Sequence, residues 1–555
     1  MIGVIARNLE LDVVQEFFEL FKTPWENWIP EHFYDVVLCT TEDNIQHIRA
    51  KLILIYSGSH LASDPAGAIE EKKNNRAIRL CYLEDEIAIY GRCLTFPPQN
   101  SNLLVAETSG RSAALRQAGS EGQNILRVGY DLFEEIRFLL TKGQPAAEAG
   151  LPSLDLHIHF LRDQMRAAGI EFVEIPPVPE GYQFIVCLTH DIDHPAIRKH
   201  RSDHTAAGFL YRASVGSIVR FVRGQLSFRS LLRNWIAVSK WPFIQIGLAR
   251  DFWADFVDQY RRTEGGLPST YFVIPVAGKC GRGLTGAAYK RRASAYGARD
   301  IQPAIRDVQN GGHEIALHGL DAWLDSDAAA RELDEIRKLT GQSEIGVRMH
   351  WLCFNEDSPR ELERAGVSYD STIGYRETVG YRTGTTQAFV PLGTKTLIEL
   401  PLHAMDTALF YPAYLGLGPQ RASELLENLL KNAARFGGCL TINWHDRSLA
   451  PERQWFACYR QFLDAAAGRQ AWFATCTEAA AWFRQRRAVT FKHNRTNGKA
   501  ELIQMQRSRD HVPGLALRIH TPLEQPAAAT RNEARAEDVP LNGKRRSDLV
   551  SCQSA

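Results

Sequence analysis

Twelve residues constrain this chain more than any others: Phe184-Ile-Val-Cys-Leu-Thr-His-Asp-Ile-Asp-His-Pro195. The apolar run Phe184 to Leu188 predicts a buried strand, and Pro195, which cannot donate to a sheet ladder, closes it. Thr189, His190, Asp191, Asp193 and His194 therefore fall at the carboxyl end of a core strand. Parallel α/β folds place their chemistry there. Asp191 and Asp193 are two apart and share a face of an extended stretch. Two carboxylates that close repel each other unless a cation or a proton lies between them. The competing reading is a polar strand end that caps the next helix.

At 555 residues the chain exceeds one ordinary domain. Residues 1–175 alternate strand-like stretches (Val36 to Thr40, Leu52 to Tyr56, Ile78 to Tyr82, Ile87 to Tyr90) with helical spacing at Val13 to Phe21 and Ile125 to Leu140. They predict a small α/β domain with no phosphate loop and no assigned chemistry. Pro176-Pro177-Val178-Pro179 is a stiff connector. From 180 to 486, strand-like runs recur (Thr270 to Ile274, Glu314 to Leu317, Gly346 to Arg348, Thr396 to Leu400, Cys439 to Asn443). Helical stretches separate them at 246–261, 325–339, 357–365, 420–434, 451–467 and 477–486. Such β–α repetition predicts a parallel sheet, closed into a barrel or left open. Residues 487–524 read as a small β appendage, and 525–555, poor in large apolar groups, as a disordered tail.

A net charge of +1 gives no global field for nucleic acid. Ten cysteines without a CxxC pair read as reduced thiols of a cytoplasmic protein. Met1-Ile-Gly-Val-Ile-Ala6 is followed at once by charged residues, so no signal peptide is expected. No run of about 18 apolar residues predicts a membrane span. The segment 197–250 stands out. It is rich in arginine, its only acid is Asp203, and aromatics are interleaved (Phe209, Tyr211, Phe221, Phe228, Trp235, Trp241, Phe243). It reads first as a helix pair whose aromatics pack on the barrel. The rival is a contact with an anionic membrane or a lipid-linked or phosphorylated substrate. Leaving from the Asp191–Asp193 strand end, it is expected to cover one side of the mouth.

Four further clusters fall at strand ends. Gly311-Gly-His-Glu-Ile-Ala-Leu-His318 ends in a histidine. Arg348 and His350 sit two apart. Tyr369-Asp370-Ser371-Thr372 follows a helix, and Leu440-Thr-Ile-Asn-Trp-His445 is again a strand ending in histidine. Singly, each reads as structural; together they converge on one barrel mouth.

On these residues the stretch resembles the polysaccharide deacetylases, the NodB-homology group of metal-dependent carbohydrate esterases, across roughly 300 residues. Thr189-His-Asp191-Ile-Asp193 resembles the first motif, which supplies a catalytic and a metal-binding aspartate. Pro268-Ser-Thr-Tyr-Phe-Val273 resembles the strand that follows it, and Gly312-His-Glu-Ile-Ala-Leu-His318 the histidine motif. Arg348 matches the arginine that orients the base, and Asp370 with His445 the pair that supplies the general acid. The strings THDIDH, RxHW, YDSTIGY and WH resemble a polysaccharide-biosynthesis subgroup with an extra N-terminal domain. The resemblance implies a distorted (β/α) barrel of the deacetylase type, preceded by a smaller α/β domain. It implies N-deacetylation of an N-acetylated sugar in a polysaccharide or its precursor. Asp191, Arg348, Asp370 and His445 are then catalytic, with a divalent metal, expected to be zinc, on Asp193 and His318.

The usual histidine motif carries a second histidine four residues on, and here that position is Ala322. His350 is expected to supply the missing imidazole, with His190 and His194 as alternatives; the rival role for His350 is stacking on Trp351 or binding substrate. Glu399 and His403 are candidates for lining the sugar pocket. Two other functions stay open: a different metal-dependent C–N hydrolase on the same scaffold, and an inactive glycan- or partner-binding domain, which Ala322 favours.

Overall fold

The protein is described by a computed structural model that covers all residues except 42–46, 74–75, 98–102, 119–122, 284–292, 494–499, 505–511, 524–535 and 542–555. Nine parallel strands from Phe184 onward carry the chemistry. They are β1 (Phe184–Ile192), β2 (Ser269–Val273), β3 (Glu314–Gly319), β4 (Val347–Met349), β5 (Tyr369–Asp370), β6 (Ile398–Glu399), β7 (Leu402–Met405), β8 (Cys439–Asn443) and β9 (Ala471–Phe473). Their order is β6-β5-β4-β3-β2-β1-β8-β7, with β9 against the first half of β1. All nine residues of β1 are buried. A central parallel strand covered on both faces needs such an unbroken apolar run. At the seam, Leu402 N–H donates to Ile373 O at 2.9 Å, and Gly374 bridges Leu402 in parallel. The chain beyond β5 thus reaches β7, and the sheet curls into a distorted barrel.

Helices on the outside cover this sheet and are stopped by local chemistry. Asp325 caps Ser326–Thr340 by accepting from Ala328 N–H at 2.7 Å, and Gly341 ends it at φ 71°, the left-handed region that glycine enters without strain. Thr475 and Glu478 form a capping box on Cys476–Arg487. Between β1 and β2 the insertion forms helices His204–Tyr211, Ser217–Val222 and Phe228–Gln245. The helix expected at 246–261 is instead Phe256–Glu264, because Gly247, at φ 81°, ends the preceding helix inside that range.

The N-terminal residues form a six-stranded sheet in the order 114–118, 124–128, 49–56, 33–39, 2–5, 25–27, parallel except for the edge hairpin. Here the expected helix Ile125 to Leu140 is corrected. Asn124–Val128 is a strand paired with Arg49–Tyr56, and the helix is Leu132–Thr141. Asp131 makes the break, accepting from the Phe133 and Glu134 N–H groups at 3.0 and 3.1 Å.

This sheet is docked on the barrel. The fully buried Arg486 guanidinium donates to the carbonyls of Ile175, Glu19 and Leu20 at 2.9–3.0 Å, and Arg487 pairs with Glu16 at 2.7 Å. In the expected β appendage, Ala516–His520 pairs with Phe172–Glu174 and with Ala536–Pro540. That last strand lies in the stretch expected to be disordered; beyond it and Leu541, the 525–555 segment is outside the described residues.

Candidate active site

Three side chains converge at the carboxyl ends of β1, β3 and β4. Asp193, His318 and His350 each offer one ligand atom, and these atoms lie within 4.8 Å of one another. His318 Nε2 is 3.5 Å and His350 Nε2 3.6 Å from the same Asp193 Oδ1, which has no hydrogen-bond partner among the described residues. Those separations are too long for hydrogen bonds. They approximate the edge, roughly 3.3 Å, of a tetrahedron with metal–ligand bonds of about 2.05 Å. His318 Nδ1–H donates to Arg348 O at 3.0 Å, which turns Nε2 to the cluster; Asp191 and Asp193 raise this histidine against its burial, so a cation bound here would take the place of a proton. Burial pulls His350 down to about 4, so its imidazole is neutral at neutral pH, as a ligand must be. Burial works against the Asp193 carboxylate, yet the three imidazoles that face it, His318, His350 and His445, hold it well below the usual range. The donor set therefore fits a divalent transition ion.

The sequence places His350 on a strand with Arg348. The strand in fact ends at Met349, and His350 opens a tight turn in which Trp351 and Leu352 take φ of 64° and 51°. Ala322 is fully buried in the barrel core and offers no ligand. His190 is also core. It lies 3.7 Å from the Tyr260 ring, donates through Nδ1 to Trp444 O at 2.9 Å, and has Glu264 Oε1 2.9 Å from Nε2. His194 turns to His200 at 3.2 Å.

Asp191 lies behind the cluster, with His318 Nε2 3.9 Å from its Oδ2. Arg348 donates to Asp191 Oδ1 at 3.0 Å and to Thr189 Oγ1 at 2.6 Å, and its other N–H groups go to Ser371. Asn443 Nδ2 donates to Asp191 Oδ2 at 2.8 Å. Asn443 was not singled out from the sequence; its place two residues before His445, at the end of β8, was the available signal. On the opposite side, His445 Nε2 stands 3.8 Å from Asp193 Oδ2.

The expected Asp370–His445 pair does not form. His445 Nδ1 is 2.6 Å from Asp406 Oδ1, and Asp406 also accepts from the His445 N–H and the Ser448 hydroxyl. Asp406 follows β7, which pairs with β8; Asp370 ends β5, on the far side of the sheet order. There burial pushes Asp370 up to about 6 and, with the charge of Asp370, Glu399 well above the usual range. Burial lowers His445, but the charge and hydrogen bond of Asp406, then Asp193 and Asp191, raise it to about 10. Glu399 and His403, candidates for the sugar pocket, are buried inside: Glu399 accepts from Ile373 N–H at 2.8 Å, and His403 Nε2–H donates to Thr385 O at 3.1 Å.

These groups open into a cavity of about 920 Å³. Arg212, Arg220 and Gln225 of the insertion line it, so the insertion does cover one side of the mouth. The fold and site together define a curled parallel α/β barrel with a candidate His/His/Asp metal site between an arginine-held carboxylate and an aspartate-held histidine.

No family model and no curated protein matches the chain. Solved structures do. A protein described as a candidate polysaccharide deacetylase from Mycobacterium smegmatis is 20% identical, over 61% of this chain and 99% of that one, with a TM-score of 0.35. Another so described, from Pseudomonas aeruginosa PAO1, is 16% identical over 55% and 92%, with a TM-score of 0.34. The PuuE allantoinase is 14% identical over 55% and 92%, with a TM-score of 0.32. At such values the likeness carries no functional argument, and the reading below stands on the site's own geometry.

Proposed function

We propose that the chain is a metal-dependent N-deacetylase, a C–N hydrolase of the polysaccharide deacetylase kind, acting on an N-acetylated sugar of a polysaccharide or its precursor. One observation carries this reading: a three-residue ligand cluster lies between a candidate base and a candidate acid in one cavity. Asp193, His318 and His350 would hold the ion, for which zinc is our choice on the nitrogen-rich donor set. When bound, it supplies Lewis acidity toward the acetamide carbonyl and brings the pKa of a water toward neutrality.

The chain's own residues do the rest. Asp191, fixed by Arg348 and Asn443, takes the proton from the attacking water. His445, oriented by Asp406 and charged at neutral pH, gives a proton to the departing amine nitrogen, which otherwise leaves poorly. Arg348 sits beneath the base, with no exposure to solvent, and sets its direction rather than touching substrate. With His350 in the cluster, Ala322 no longer argues for an inactive domain.

The test is acetate release from N-acetylated chito-oligosaccharides by the zinc-supplemented full chain. Expected are turnover, its loss on chelation with recovery on adding zinc, and losses of roughly 10²–10⁴-fold in Asp191→Asn and His445→Ala. Release that survives chelation would sink the metal-dependent reading. No release from any N-acetylated sugar, with hydrolysis of a cyclic ureide instead, would move the chain to another C–N hydrolysis.

A further inference from the structure

One wall of the same cavity is made of three arginines, Arg212 from the insertion and Arg447 and Arg453 from the chain beyond β8. Among the described residues none of them has a carboxylate at ion-pair distance. Arg453 is only 4% exposed, and its Nη2–H donates to the Tyr411 hydroxyl at 2.6 Å. Its Nε is buried without a partner, and so is that of Arg212. The guanidiniums are steadied by rings instead: Arg447 lies 4.9 Å from the Trp253 ring centre, and Arg453 4.7 Å from that of Trp455. The nearby acids are Glu452 and Asp446, and burial pushes Asp446 up to about 7, half neutral. Burial and the charge of Arg453 lower Arg212 to about 10, so it stays charged at neutral pH. Cations brought together in a cavity with too few anions are costly unless a ligand completes them. Planar, forked guanidiniums suit a tetrahedral oxyanion.

We propose that Arg212, Arg447 and Arg453 form a subsite for a phosphoryl group carried by the substrate. The sugar attached to it rests on the deacetylase reading; the anion site does not. The probes are inorganic phosphate and N-acetylglucosamine 1-phosphate, titrated calorimetrically into the full chain. Both should bind, and Arg447→Gln and Arg453→Gln should each weaken binding about tenfold or more. Arg212→Gln, on a different element, should act in the same direction and covers the case that Arg453→Gln fails to fold. Asp193→Asn separates this site from the metal and should leave phosphate affinity in place. No binding of either probe overturns the proposal, as does binding that vanishes in Asp193→Asn and is indifferent to the arginines. Acetate release is measured separately, so a failed deacetylase assay leaves the phosphate result standing, and the reverse.

The outer face of the insertion carries a second inference on different evidence. More than half of the large apolar side chains exposed among the described residues fall between Tyr211 and Leu248, including Val222, Phe228, Trp235, Phe243 and Ile246. From 204 to 249 there is no Asp or Glu, and besides Arg212 and Arg220, which line the cavity, there are four cations, Arg223, Arg229, Arg233 and Lys240. Exposed apolar side chains concentrated in this way on one element mark a docking surface. A second copy would set cation against cation, whereas an anionic bilayer satisfies both the charge and the apolar face. No described helix is long and apolar enough to cross a membrane.

We infer that Ser217–Val222 and Phe228–Gln245 lie on an anionic lipid surface, with the cavity mouth beside it. The test is co-sedimentation of the full chain with phosphatidylcholine vesicles, plain or with about 30% phosphatidylglycerol. Expected is binding to the anionic vesicles only, weakened by salt and reduced at least about tenfold in Phe228→Ser/Trp235→Ser/Phe243→Ser with circular dichroism unchanged. Absence of binding to anionic vesicles overturns it. So does an oligomer of the native chain that the same triple variant dissolves, which would make the face a self-interface.

Discussion

Asp406 holds His445 by its ring nitrogen and by its backbone N–H, so one carboxylate fixes both the position and the charge of the candidate acid. Asp406→Asn keeps the shape and removes the charge. It should lower kcat roughly 10²–10⁴-fold, whereas Asp370→Asn, which leaves that pair intact, should stay within about tenfold of wild type. A kcat loss confined to Asp370→Asn would restore the pairing read from sequence. A second residue-scale outcome concerns stability. His157 is buried, its Nδ1 3.1 Å from the Tyr130 hydroxyl, and burial lowers it to about 3. Between pH 6.5 and about 3 the unfolded chain binds a proton here that the folded chain does not. This contribution is full above pH 6.5 and is lost as pH falls, up to a few kcal/mol. His157→Gln should lose less melting temperature than wild type between pH 7 and 4.5; parallel melting curves would contradict this.

Between elements, close approach sets the geometry. A Cβ on Gly346 would stand 2.0 Å from the Tyr369 ring, at the crossing of β4 and β5. Gly346→Ala should therefore force these strands apart, costing about 1–3 kcal/mol or more, and should displace Arg348 from Asp191. Denaturant unfolding checks the first effect and kcat the second; unchanged values in both would refute the close packing. Element by element, much was legible in sequence. The run into Thr189, the EIAL strand before His318 and the strand before His445 all announce themselves, because buried parallel strands are unbroken apolar runs. What was not legible is which acid serves His445. Asp370 and Asp406 are both acids at strand ends, and only the order of strands puts β7, not β5, beside β8. That order is a long-range property. The Leu402–Met405 strand and the five-residue helix Asp406–Phe410 are also too short to show a period.

Across the whole molecule, the N-terminal sheet and the barrel are joined by Arg486, whose N–H groups satisfy three carbonyls from the N-terminal side. Arg486→Ala leaves those carbonyls without their donor in a buried interface and should cost about 2–4 kcal/mol, read by urea unfolding; a loss under about 0.5 kcal/mol would show the two parts to be independent there. The most direct measurement for the account as a whole is the metal content of the purified chain after zinc loading and dialysis, compared among wild type, Asp193→Asn, His350→Ala and His403→Ala. The account predicts one ion per wild-type chain and per His403→Ala chain, and a steep loss in Asp193→Asn and His350→Ala with secondary structure intact. A full ion retained in His350→Ala, or none bound by wild type, would contradict it.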